Sequence, residues 1–167
     1  MKILVSHCLL GQACRYDGKS SGDLEQTLRK LGFASTDIFA LCPEQAGGLP
    51  TPRVPCERAI TPVVIRHGTA KVLNRAGEDM TKYFLLGAEM ALALVKREQI
   101  TVALLKSKSP SCGVHSIYDG TFQGRLRLGM GLTAELLDEH GVKLFDETEL
   151  PALAAWLEST PHDVPLG

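Results

Sequence analysis

The chain has 167 residues, 44% of them hydrophobic, and a formal charge of -1 at neutral pH. That length suffices for one compact domain with its own core, and the near-zero charge excludes a basic whole-molecule field for gripping a long nucleic acid. Five cysteines, an odd number in a chain large enough to need no staples, argue against a disulfide framework.

"KILVSH", starting at Lys2, is a short branched apolar run that leads into Cys8. It predicts a buried parallel strand. The run is too short for a membrane span and carries no small-residue cleavage site, so a cytoplasmic protein with no membrane partner is expected. Leu24, Leu28 and Leu31 share one face of a helix predicted over residues 23–31. "DIFALC" then repeats the first pattern and ends at Cys42. In "AITPVVIRHGTAKVLNRAG", two β-type runs flank His67 and Gly68, which predicts a hairpin beside the main sheet. A long helix is predicted over 80–98, a third strand in "TVALLKS" from Thr101, and a helix over 132–140 closed by Gly141. "VKLF" at Val142 is a weaker fourth strand, followed by a helix over 150–157. Strands alternating with helices imply right-handed crossovers. The expected fold class is therefore α/β, a single domain over 1–167 with a mostly parallel, Rossmann-like sheet flanked by helices and a β-hairpin insertion.

In such sheets the ligand crevice lies beyond the carboxyl ends of the strands. Cys8 and Cys42 close the first two predicted strands, and Cys112 lies in the loop after the third, so three thiols are expected at one edge of the sheet. A single buried cysteine usually acts as a small hydrophobe. Three of them, set in the turn-rich contexts "SHCLLG", "LCPEQAGGLP" and "SPSCG", suit a soft metal or an iron–sulfur cluster with one position left open. No CxxC pair or Cys/His finger spacing points to structural zinc. Cys14 and Cys56 end no predicted core strand and are read as non-ligands.

Pro43 ties Glu44 to Cys42, which makes Glu44 the candidate general acid or base. Ser109 and Ser111, beside Cys112, can donate or accept hydrogen bonds. Arg15, Lys19 and Lys108 fall in the loops after strands one and three, where they could meet an anionic group or simply be solvated. "DGKSS" looks like the tail of a phosphate loop but fails the template, because Ala13 stands where its first glycine is required. "LGMGLTAELL" places Gly131 and Thr133 at a helix start, which suits a phosphate or ordinary capping. The five histidines show no paired spacing. His7 is expected to point to the opposite side of a strand from Cys8.

Taken in order, "VSHCLLG", "CRYDG", "CPEQAGGLPTPR", "LKSKSPSCG" with "IYDGTF" after it, and "GMGLTAELL" resemble the motifs of the thiouracil desulfidase family, from residue 3 to about 147. His7 departs from the small residue that relatives often carry there. The sequence also stops without the additional C-terminal domain that some relatives have and that is associated with thiolated transfer RNA. The resemblance implies a [4Fe-4S] cluster held by Cys8, Cys42 and Cys112, with the fourth iron free for a thiocarbonyl sulfur. It further implies removal of that sulfur without net redox chemistry, leaving uracil or its nucleoside derivative. Within that chemistry Glu44 would handle the proton of the attacking water or of the ring nitrogen, and Ser109 and Ser111 would fix the substrate. The expected partner is a small thiolated pyrimidine base or nucleotide, with a lean towards a thiouridine monophosphate met by the loop cations, and the protein a monomer or homodimer. Two other classes stay open: a cysteine-nucleophile hydrolase using Cys112 or Cys42, which needs a histidine base, and a noncatalytic metal-binding or sensing module.

Overall fold

The computed structural model describes residues 1–59 and 71–160. Its first half runs from β1 (Ile3–Ser6) through a 3-10 turn at His7–Leu9, α1 (Glu25–Lys30), β2 (Ile38–Leu41), α2 (Pro43–Ala46) and β3 (Cys56–Arg58) to β4 (Val72–Asn74). The second half comprises α3 (Thr81–Glu98), β5 (Val102–Leu105), β6 (Ser116–Tyr118), β7 (Leu126–Leu128), α4 (Leu132–Glu139), β8 (Lys143–Asp146) and α5 (Leu150–Ser159). Four strands form one parallel sheet in the order β2-β1-β5-β8.

The pleat of the sheet sorts its apolar residues into two cores. Ile3, Val5, Val102 and Leu104 pack with Leu28 of α1 and with Leu153 and Leu157 of α5. Leu4, Ala103 and Leu105 point the other way, onto Ala91 and Val95 of α3 and Ala134 and Leu137 of α4. Helices thus cover both faces, which is why the central strands read as unbroken apolar runs. From β1 the chain crosses to β2 on one side and then returns to β5 on the other. The boundary between β1 and β5 is the switch point beyond whose carboxyl ends open α/β sheets bind ligands.

Two antiparallel pairs sit beside the sheet, β3 with β4 and β6 with β7. The expected hairpin is met only in part, because β4 lies in its second run and β3 just before its first, with Glu57 opposite Leu73. Its expected tip at His67 and Gly68 lies outside the described residues. The β6–β7 pair and α2 have no counterpart among the sequence expectations, because three-residue strands and a single helical turn are too short for their period to register. The expected alternation of His7 and Cys8 across a strand is corrected, since the strand ends at Ser6 and both residues lie in the 3-10 turn. Among the described residues no helix is long and apolar enough to cross a membrane.

Helix α2 sits backbone to backbone on α3. A Cβ on Gly47 would lie 1.9 Å from the Tyr83 carbonyl oxygen, and one on Gly87 would lie 2.0 Å from that of Pro43. Only glycine permits this approach, and it fixes the position of the turn that carries Glu44.

Candidate active site

A cleft of about 510 Å³ opens beyond the carboxyl ends of β1, β2 and β5, and all five cysteines line it. Each of the three expected thiols is set by a different local device. Cys8 lies in the turn directly after β1, and its carbonyl accepts the Ser21 N–H at 2.7 Å, folding the following loop back on itself. Cys42 caps α2, whose first residue is Pro43. Cys112 is held by Ser109, whose Oγ accepts the N–H groups of Ser111 and Cys112 at 3.1 and 3.0 Å. Behind that loop Gly131 approaches so closely that a Cβ there would lie 2.4 Å from the Ser111 carbonyl carbon.

Cys14 stands with them. It is only 1% exposed, and its thiol is within hydrogen-bonding reach of both Cys8 and Cys42. Its proton shared with those neighbours is the largest cause holding Cys8 and Cys42 below the ordinary thiol range, while Cys14 itself is pushed far above it. The positive charges of Lys106 and Arg53 act in the same direction, on Cys8 and Cys42 respectively. Arg53 also donates to the Cys14 carbonyl at 3.0 Å, tying the "CRYDG" loop to the "TPR" segment. Cys112 is driven well above the usual range, first by burial and then by the negative charge of Glu44.

Glu44 is buried at 9% exposure and joins two of the thiol-bearing loops. Its Oε2 accepts from the Cys42 thiol at 3.5 Å and its Oε1 from the Ser109 hydroxyl at 3.5 Å. Lys106 pairs with Glu147, which also accepts the N–H and hydroxyl of Ser107 at 2.8 and 2.7 Å.

The structure brings Cys8, Cys42, Cys112, Glu44, Ser109, Arg15 and Lys108 to this one cleft. Ser111, Lys19, Gly131 and Thr133 do not line it. Ser111 is fully buried and bonds Thr133 at 3.0 Å, so both act from behind the Cys112 loop, while Lys19 is exposed. Arg15 is engaged by Asp17 and Ser21, each at 3.4 Å. Sequence reasoning missed His7, Cys14, Arg53, Lys106, Arg75 and Phe122 as lining residues. Cys14 and Arg53 lie inside the quoted motifs, so the motif string itself holds the signal, although no strand ends at Cys14 to mark it.

Among the described residues no three cysteine sulfurs all lie within 4.8 Å of one another. Thiolates on a single ion at about 2.3 Å lie within about 4 Å of each other, so the arrangement is more open than a single zinc site, while three soft thiols from separate loops are the donor chemistry that an iron–sulfur group takes. Soft, buried thiols at the switch point of a parallel sheet define a cofactor-type site for sulfur chemistry. The sequence pattern of the 2-thiouracil desulfurase family matches residues 3–149, and the chain belongs to that family. It is 42% identical over 149 residues to the uncharacterized protein YbbK of Bacillus subtilis (strain 168), covering 89% of this chain and 97% of YbbK. Its fold is similar to the solved structure of a [4Fe-4S]-dependent thiouracil desulfidase, TudS, with a TM-score of 0.83 and 47% identity over 95% of this chain and 99% of that one.

Proposed function

We propose that this protein is a [4Fe-4S]-dependent desulfidase that converts a thiolated uracil compound to its oxo form and releases hydrosulfide. The carrying observation is the meeting of Cys8, Cys42 and Cys112 with Glu44 and Ser109 in one cleft, in a chain 47% identical to TudS. Cys8, Cys42 and Cys112 would hold the cluster, which when bound supplies a soft Lewis acid suited to a thiocarbonyl sulfur. Overall, water oxygen replaces sulfur on the ring carbon, so no electrons are exchanged and no redox cofactor is required.

The chain's own residues supply the rest. Glu44, buried and already an acceptor for a thiol and a hydroxyl, takes the proton of the attacking water or passes one to the ring nitrogen. Ser109 holds the carboxylate and the Cys112 loop in register through the same hydroxyl. Ser111 acts through Thr133 as a support rather than as a substrate contact. Lys106 and Arg53 bias the cleft towards anionic sulfur, both as thiolate ligand and as departing hydrosulfide. The described cysteines are all free, in keeping with a reducing cytoplasm.

A cleft of about 510 Å³ suits a single base or nucleotide. A nucleotide's phosphate would meet Lys108 and Arg15, together with Arg75; Lys19, Gly131 and Thr133 are not among the residues that line the cleft. The test is anaerobic reconstitution with iron and sulfide, followed by steady-state kinetics on 4-thiouracil, 4-thiouridine and its monophosphate with hydrosulfide measured. Hydrosulfide and the oxo product should appear in equal amounts, with kcat/KM about tenfold or more higher for the monophosphate. Iron-loaded protein that turns over none of the three refutes the function; equal kcat/KM for all three refutes the phosphate contact.

A further inference from the structure

The segment "IYDGTF" has no part in the chemistry above, yet it brings Phe122 to the cleft on a strained backbone. Phe122 lies between β6 and β7 with φ at +57°, a left-handed conformation that residues with a Cβ avoid. Core packing does not explain the choice, because Phe122 belongs to none of the three apolar clusters. What holds it is Glu57 of β3, an 8% exposed carboxylate whose Oε2 accepts the N–H of Gly120 at 2.8 Å and that of Phe122 at 3.0 Å. Such charge-assisted bonds are strong and directional. Phe122 and Glu57 both line the cleft, and the Arg75 guanidinium lies 5.8 Å from the centre of the Phe122 ring. The result is a flat, cation-backed wall in the cleft that the thiols also line.

We propose that Phe122 is the platform on which the planar ring of the substrate stacks, and that Glu57 is the positioning residue that holds it there. Stacking on an aromatic face is the recognition that any pyrimidine offers, whatever its substituents. It would present the thiocarbonyl edge to the thiol-lined floor without using a hydrogen bond that differs between sulfur and oxygen. This inference rests on the proposed desulfidase function for its substrate class, though the stacking can be measured without turnover.

The test compares Phe122→Leu, which keeps apolar bulk but loses the flat face, with Phe122→Tyr, which keeps it. Phe122→Leu should raise KM for 4-thiouracil about tenfold with kcat within about threefold, while Phe122→Tyr stays within about twofold of the parent. Calorimetric binding of uracil to cluster-free protein should weaken in parallel. Glu57→Gln should raise KM similarly, and the double variant should be no worse than Phe122→Leu alone, since Glu57 acts through the ring. Iron content and thermal midpoint should be unchanged in all of them. Unchanged KM and uracil affinity in Phe122→Leu, or a fall in kcat instead, overturns the platform, and additive losses in the double variant overturn the role of Glu57. Parent protein that binds uracil but desulfurates nothing sinks the desulfidase reading and leaves the platform standing; parent protein that neither binds nor turns over any pyrimidine sinks both.

Discussion

Glu44→Gln separates proton handling from architecture. The carboxylate now accepts from two donors, the Cys42 thiol and the Ser109 hydroxyl, both at 3.5 Å. An amide of the same shape offers one acceptor oxygen, so one of the two bonds is lost. The Ser109 bond at 3.5 Å is at the outer limit of hydrogen bonding and a thiol is a weak donor, so the loss of either costs the fold little. The proton acceptor is a different matter, because a positioned general acid or base contributes about 10²- to 10⁴-fold. We expect kcat to fall by roughly 100-fold or more, about 2.7 kcal/mol in the barrier. Iron retention should hold, since the change removes the negative charge that helps push the Cys112 thiol above its usual range. The assay is anaerobic turnover of 4-thiouracil with iron and sulfide content measured on the same samples. Activity within a factor of a few of the parent, at full iron content, would show that water is activated elsewhere. Loss of iron would make Glu44 a scaffold rather than a proton carrier.

Changing Cys8, Cys42 or Cys112 to alanine should each abolish cluster retention, whereas Cys14→Ala and Cys56→Ala should leave the iron content largely intact; loss of iron in Cys14→Ala with retention in Cys8→Ala reverses the assignment. Gly87→Ala would drive a methyl to 2.0 Å from the Pro43 carbonyl oxygen, so it should cost about 1–3 kcal/mol of stability by denaturant titration and lower kcat by displacing Glu44; a silent variant would mean that α2 can shift freely. Burial alone would raise the pKa of Glu147, but bonds from Lys106 and Ser107 outweigh it and hold the carboxyl below the ordinary glutamate value of 4.5. Its stabilisation is therefore present above that pH and lost as pH falls through the lowered folded-state value. Glu147→Gln should cost about 2 kcal/mol, or about 4–8 °C in Tm, at pH 7, and the gap should narrow as the pH drops below 4. A gap that is constant with pH would mean the ion pair contributes nothing.

The four sheet strands and the four longer helices are legible because each is an apolar run or stripe bounded by polar residues. β1 and β5 are the clearest, buried on both faces with no polar alternation to mislead. The convergence of Cys8, Cys42 and Cys112 followed from topology alone, since residues that close neighbouring parallel strands share an edge. What escaped was whatever depends on chain reversal over short distances. Cys14 returns to the cleft because Ser21 and Leu24 bond back to the carbonyls of Cys8 and Leu9, and no periodicity announces such a loop. Phe122 adopts a glycine-like conformation through a carboxylate 65 residues away, a contact that no local pattern encodes. Gly131 is legible as a turn residue, but its close backbone approach to Ser111 is not, because a glycine needed for such contact looks the same in sequence as any other turn glycine.

These close approaches explain how thiols on separate loops can be positioned accurately in one cleft. The loop bearing Cys112 is butted against Gly131 at the start of α4, and the turn bearing Cys42 and Glu44 is butted against Gly87 in α3. α3 and α4 in turn bury their small residues, Ala91 and Ala134, in one common core with Leu4 and Ala103 of the central strands. Backbone contacts of this kind have no rotamers, so they transmit position without the slack of a packed side chain. The loop bearing Cys8 is fixed differently, by backbone hydrogen bonds within itself and by the Arg53 bridge to the Cys14 carbonyl. It is thus held by hydrogen bonds where the other two loops are held by backbone contact with α3 and α4. That is also the wall that carries Cys14 and Arg15, the groups facing whatever enters the cleft from the β1 side.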